Sequence, residues 1–257
     1  MNTKIKKYLP ALIVLAIIAY SAVGLDYSEA KNISFPMIQS VIVGLFQPDW
    51  SFVYDGSGED LVSLLLLTIG IAFLGTFIAT FLAIPFTLLS AKNLWKSTGI
   101  VAKIGKFILN VLRAFPELVY AIIFVKMVGP GAFAGVLAIG AHQIGMLGKL
   151  YTEEMEGMDE KLVESMDAVG ANFWQTMFFT RLPQLMPTYI SLALNHFEIA
   201  VRSAATLGLV GAGGIGAPMI FAIQSRAWDK VGIILVGIII TVFVIDAVTG
   251  YIRKKLQ

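Results

Sequence analysis

From Leu61 to Leu89 the chain runs for 29 residues without a single charged side chain. About twenty apolar residues suffice for a helix to cross a bilayer core of roughly 30 Å. The run is longer than that, so it predicts a tilted transmembrane helix. Gly75, Ala79 and Ala83 recur every four residues along it and form a small-residue face for close helix packing. The rest of the chain fits a membrane protein. Apolar residues make up 57% and charged residues 14%, against about 25% charged in soluble domains, and the mean hydropathy is +0.80. The net charge of +2 says little; its distribution says more.

Five further apolar runs bring the expected count to six spans. Leu9–Leu25 follows Lys4, Lys6 and Lys7. It reads either as a signal peptide or as a first, uncleaved span, and the number of later spans favours the second. The third span is expected over Ile104–Met127, with Pro116 inside it, and the fourth over Gly131–Leu150. There Gly131 and Gly135 form a GxxxG pair, and Ala134, Ala138, His142 and Gly145 continue a narrow face. Gln184–Thr206 and Val231–Ile252 supply the fifth and sixth. Basic clusters at Lys4–Lys7, at Lys92, Lys96, Lys103 and Lys106, and at Arg253-Lys-Lys then all fall on one side, with both termini cytoplasmic. The polar stretch 26–60 lies outside, with Phe35–Phe46 along the membrane surface. The chain thus divides into an N-terminal helix and linker (1–60), a core (61–252) and a short tail (253–257).

One segment breaks the apolar pattern. Residues 159–183 are amphipathic and partly acidic, and they read as two short helices joined at Gly170. Asp159 can cap the first. Gly170 supplies the backbone freedom for a sharp turn. Asn172, with Gln175 three residues on, fits a capping box for the second, which Pro183 is expected to end. Leu162, Met166 and Val169 form one apolar stripe, and Phe173 and Met177 another. Such a hairpin between membrane spans calls for a protein partner.

The spacing Glu164, five residues, Gly170, nine residues, Thr180-x-Leu182-Pro183 resembles the cytoplasmic EAA loop of ABC-importer permeases. Ser165 and Met166 stand where that motif has two alanines, and Thr180 where it has isoleucine. Arg113-Ala-Phe-Pro-Glu-Leu-Val, the segment from Phe133 to Lys149, and Arg202 through Gly216 resemble the phosphonate-importer permeases in particular. The resemblance covers roughly residues 60 to 250. It implies an all-α, polytopic, type I importer permease fold, MetI-like, in the inner membrane. It further implies a homodimer with the path on its two-fold axis, surrounded by membrane lipid. A dimeric ABC ATPase would bind below, using ATP and Mg, and an external binding protein would deliver substrate. By the same resemblance Glu164 places the docking helix, Gly170 makes the turn, Pro183 completes the motif, and Phe173, Trp174 and Met177 are apolar contacts for the ATPase.

Charged and polar residues inside spans are candidates for the path and its gate. Arg113 with Glu117, and Glu198 with Arg202, each stand four apart, so each pair can also neutralise itself along one helix face. Arginine suits an oxyanion substrate. His142, Gln143, Asn195 and His196 lie at mid-membrane, either bonding helices together or lining the path. Asp246 is expected to pair with a neighbouring helix.

Several classes drop out. Without cysteine there is no disulfide, iron–sulfur cluster or thiolate site, and two histidines argue against a histidine-rich metal site. No phosphate loop is present, so this chain binds no nucleotide cofactor and ATP energy has to come from a partner. Gly211-Ala-Gly-Gly-Ile-Gly216 satisfies GxGxxG but follows a membrane helix, which favours close backbone packing over dinucleotide binding. The hairpin outline also resembles a helix-turn-helix, but it is acidic where nucleic acid demands basic residues. The remaining alternatives are a permease for phosphite, methionine or another amino acid, a stand-alone ion-coupled carrier, and, with no catalytic set, a membrane enzyme.

Overall fold

A computed structural model describes residues 3–24, 34–95 and 99–256. Asp26, Glu29 and Lys96 fall outside these, as do the side chains of Lys4, Lys6 and Lys7. Among the described residues the chain is all helix and turn, without a strand. It forms two compact units, Met1–Gly44 and Leu45–Gln257. The first holds α1 (Thr3–Val23) and most of α2 (Phe35–Phe46), both with exposed apolar side chains.

The second unit is built on two long helices, α3 (Leu61–Ser90) and α6 (Ala132–Gly157), which pack along each other. Asp60 caps α3 by accepting from the Ser63 amide at 2.8 Å. The small-residue face read from sequence lies in this seam. Ala72, Ala79, Ala83, Ala134 and Ala138 are fully buried, and a Cβ on Gly75 would stand 2.8 Å from Ile139 Cγ2. Threonine hydroxyls turn back onto their own helices, as with Thr87 onto Ala83 at 2.9 Å and Thr152 onto Gly148 at 2.6 Å. These two hydroxyls are thereby satisfied without water.

Around this pair stand α4 (Ile100–Ala114), α5 (Glu117–Val128) and α9 (Leu182–Leu207), with α11 (Trp228–Leu256) against α9 and α3. Short helices α7 (Lys161–Ala168) and α8 (Phe173–Thr176) form the hairpin, and α10 (Gly216–Gln224) follows the glycine-rich loop. That loop packs as its composition suggests. A Cβ on Gly213 would meet the Ala132 amide at 2.7 Å, and one on Gly214 would meet Thr68 Oγ1 at 2.6 Å. The same Thr68 oxygen accepts from the Ile215 amide at 2.9 Å.

Two expectations about the spans change. The third is not one helix: α4 and α5 are bent by 81° at Phe115-Pro116. Proline pushes its predecessor into extended backbone, and Phe115 (φ −85°, ψ 131°) and Pro116 (φ −58°, ψ 145°) are both extended. Tyr120 Oη donates to the Leu112 carbonyl at 2.7 Å, satisfying a group that the break would leave open. Among the described residues three helices, α3, α6 and α11, are long and apolar enough to cross a membrane, or four if the bent pair counts as one span. In α9, Asn195, His196, Glu198, Arg202 and two prolines dilute the apolar character.

Candidate functional site

The hairpin owes its shape to local chemistry. Asp159 Oδ1 accepts from the Lys161 amide at 3.0 Å at the start of α7. At its end Gly170 takes φ +79°. Its amide donates to the Asp167 carbonyl and that of Ala171 to the Met166 carbonyl, both at 3.0 Å. Those two bonds make a Schellman turn, which asks for glycine where this chain has it. Asn172 and Gln175 then form the full capping box, at 2.9 and 2.8 Å.

Pro183 does not end the second helix. The backbone widens into a π turn over Met177–Arg181 and runs on as α9, with Pro183 in its first turn. An i→i+5 turn relaxes the bonding pattern that proline would otherwise break. The hairpin is therefore continuous with α9, a helix of 26 residues.

Glu164 is exposed on α7, and Phe173 and Trp174 are 50% and 60% exposed on α8, their rings edge to face at 5.3 Å. Met177 is only 6% exposed and packs inward with Tyr151, Leu185 and Tyr189, so it leaves the set of contact candidates. A side chain at the start of the π turn points back into the bundle rather than on around the α8 face. Val169 is exposed beside the turn and adds to the apolar surface.

Arg181, missed in the sequence, anchors the hairpin. It is buried, with Nη1 3.6 Å from Met158 Sδ, and it faces Glu160 and Asp167. Burial lowers its pKa from the usual value while the two carboxylates raise it, and a guanidinium stays charged at neutral pH. The signal was there: Arg181 is the one basic residue between Lys161 and Arg202, next to an acidic run. Above it, Tyr151 and Tyr189 stack at 4.1 Å and exchange hydroxyl-to-carbonyl bonds of 2.8 and 3.2 Å, clasping α6 to α9.

Neither intramembrane pair forms as its spacing suggested. The bend separates Arg113, whose Nε donates to Asn110 Oδ1 at 3.1 Å, from Glu117, whose carboxyl faces Ser203 on α9 and His142 on α6. Glu198 gives its carboxylate to α11. Oε1 accepts from Arg253 Nη2 at 2.5 Å and also from Thr249 Oγ1. Arg202 Nε reaches only the Glu198 main-chain carbonyl, at 3.3 Å. Glu198 thus lies level with the last turns of α11. Asp246 is exposed and has no ion pair among the described residues.

The remaining polar candidates meet where α5, α6 and α9 converge. Gln143 Nε2 donates to the His196 carbonyl at 2.9 Å. His142 lies beside His196 and 6.4 Å from the Tyr120 ring. Asn195 is half-buried on the same stretch of α9. Glu117 Oε1, His142 Nδ1 and Gln143 Oε1 are buried without a hydrogen-bond partner in the chain. Sequence reading gave no hint of a second feature, an apolar cavity of about 480 Å³ between α3, α9 and α11, lined by Phe73, Phe77, Tyr189 and Ile190. Among the described residues no cluster of three or more histidine or acidic side chains could hold a metal ion.

Residues 83–257, more than half of the chain, match the family model described as "Binding-protein-dependent transport system inner membrane component". The chain belongs to this family. The permease is 36% identical over 193 residues to the phosphite transport system permease protein PtxC of Stutzerimonas stutzeri, covering 75% of this chain and 70% of that one. It is 35% identical over 214 residues to the phosphate-import permease protein PhnE of Mycolicibacterium smegmatis, covering 83% of this chain but only 40% of the relative. It also matches a putative cryptic phosphonate transport permease protein, PhnE2, of Escherichia coli K12 at 40% over 119 residues, which is 46% of this chain and 98% of that one. Its fold is that of the permease in an inward-facing MetNI methionine transporter, with a TM-score of 0.65 at 17% identity, covering 88% of this chain and all of the other. It resembles equally a chain of an alginate importer, at a TM-score of 0.62 and 16% identity, covering 98% and 97%. The permease is thus an all-helical, multi-pass membrane subunit of an ABC importer.

Proposed function

We propose that this permease carries a phosphorus oxyanion of the phosphonate or phosphite class inward, driven by a separate ATPase dimer on the cytoplasmic side. The observation that carries the coupling half is the hairpin: an exposed apolar knuckle at Phe173 and Trp174, held by a Schellman turn and a capping box and continuous with α9. The substrate half rests on the relatives named for phosphite, phosphate and phosphonate. Two copies form a homodimer with the path on its two-fold axis, both termini face the cytoplasm, and an external binding protein delivers substrate. ATP and Mg act in the ATPase. Its closure draws the two hairpins together, α9 follows, and the path opens outward; hydrolysis resets it. Arg113, Glu117, His142, Asn195, His196, Glu198 and Arg202 line or brace the path. Within that set Glu198 braces, since Arg253 and Thr249 already occupy its Oε1. A second reading, transport of another small solute such as methionine, rests on a relative named as a methionine import permease, 27% identical over 181 residues.

The test is ATP hydrolysis by the permease reconstituted with its ATPase and binding protein. Phosphonate or phosphite is expected to stimulate it and methionine is not. Stimulation by methionine alone would discard the substrate class, and failure to bind any ATPase would discard the coupling role. Gly170→Val puts a β-branched residue at φ +79°, a conformation that costs an ordinary residue about 1–2 kcal/mol. No atom lies within 4 Å of the added Cβ, so the bundle stays intact. Membrane insertion is expected to be unchanged while substrate-stimulated hydrolysis no longer yields uptake. Tightly coupled transport in this variant would show that the turn is not the coupling element.

A further inference from the structure

Between α9 and α11 runs a groove of about 490 Å³ whose walls are apolar except for Glu198, Arg202 and Asp246. The three differ in one respect. Glu198 is buried and its carboxylate is taken by Arg253 and Thr249, so Arg202 has no claim on it. Arg202 on α9 and Asp246 on α11, which is long and apolar enough to cross a membrane, are both exposed, and no ion pair reaches either among the described residues. A charge left facing hydrocarbon costs several kcal/mol. An arginine can extend its stem toward the membrane surface; an aspartate ten residues from the end of α11 has no such reach.

One occupant answers both charges at once. A two-fold axis presents the same patch of each copy to the other, so a residue at one position meets its complement at another and the exchange is reciprocal. The groove carries one cation and one anion at neighbouring levels, which is self-complementary under that operation. We infer that this groove is a contact face between two copies of the chain, in which Arg202 of each copy pairs with Asp246 of the other. The inference rests on the homodimer reading and assigns it a surface. Lipid would leave Asp246 uncompensated, and a partner of one charge sign would answer only one of the two residues.

Two differently tagged copies, one carrying Arg202→Asp and the other Asp246→Arg, test this directly. Each variant paired with itself sets like charges against each other, whereas the mixed pair restores both contacts. Mixed dimers are expected to exceed either self-pair about tenfold, the ratio that ~1.4 kcal/mol gives. Wild-type copies with the same tags should mix at random. A random mixture of the two variants, as expected if the charges pair within one chain or face lipid, overturns the inference while leaving the homodimer standing. Absence of dimers in the wild type overturns the homodimer reading itself. Because the chain has no cysteine, a disulfide formed between an Arg202→Cys copy and an Asp246→Cys copy gives a second readout if the charge variants fail to insert. No cross-link in dimeric wild-type-like protein also overturns the pairing.

Discussion

Gly135→Ala is expected to destabilise the permease markedly, although it adds one methyl group. The new Cβ would stand 2.4 Å from the Ala212 carbonyl oxygen and 3.0 Å from Ile71 Cγ2. The first neighbour is backbone, in a loop that cannot retreat: Gly211 and Gly213 next to it hold φ +87° and +83°, and the Gly211 carbonyl accepts from the Gly131 amide at 2.8 Å. Overpacking a core costs about 1–3 kcal/mol, more where backbone has to move, and this site lies at the upper end. Gly70→Ala is the control. It lies in the middle of α3 with nothing within 4 Å of the added methyl, so the gain in helix propensity of about 1 kcal/mol stands alone. Thermal unfolding in detergent should therefore move down for Gly135→Ala and stay level or rise for Gly70→Ala. Equal behaviour of the two variants would mean that the contact between α6 and the glycine-rich loop is looser than the structure has it.

Arg253→Ala should cost about 3 kcal/mol or more, the loss seen when one partner of a buried ion pair is removed. The effect is asymmetric. Glu198 has a side-chain exposure of 7%, whereas that of Arg253 is 28%. Arg253→Ala leaves a buried carboxylate with only the Thr249 hydroxyl to hold it, while Glu198→Ala leaves a guanidinium that can turn toward the membrane surface. The first variant is thus expected to be the less stable. The double variant should be more stable than Arg253→Ala alone, since no unpaired charge remains. Unfolding midpoints of the three variants, combined as a double-mutant cycle, measure the coupling. Additive effects would mean that the pair contributes nothing between α9 and α11.

What could be read from the sequence was set by near neighbours. Asn172 and Gln175 stand three residues apart, so the capping box follows from local geometry in any fold. Gly170 ends α7 because a Schellman turn needs a residue that tolerates φ +79°. The small-residue face of α3 is periodic, and in a helix period determines which side chains share a face. The bend at Pro116 was legible too, since proline restricts the residue before it; reading Ile104–Met127 as one unbroken helix gave the apolar run too much weight.

Charge partners were not legible. Spacing of four offered Arg202 to Glu198, but the carboxylate is held by a residue 55 positions away, and only the packing of α11 on α9 brings that residue near. Pro183 likewise looked like an end, and the π turn before it carried the helix through. Met177 had the spacing of an exposed stripe, yet the bundle buries it in the cluster with Tyr151, Leu185 and Tyr189. The sequence by itself determined the membrane class, the hairpin and its turn, because these depend on hydropathy and on bonds closed within a few residues. Only the tertiary structure decided which charges meet and which remain facing outward, because in a medium that does not solvate them a charge pairs with whatever the packing of distant helices brings within reach.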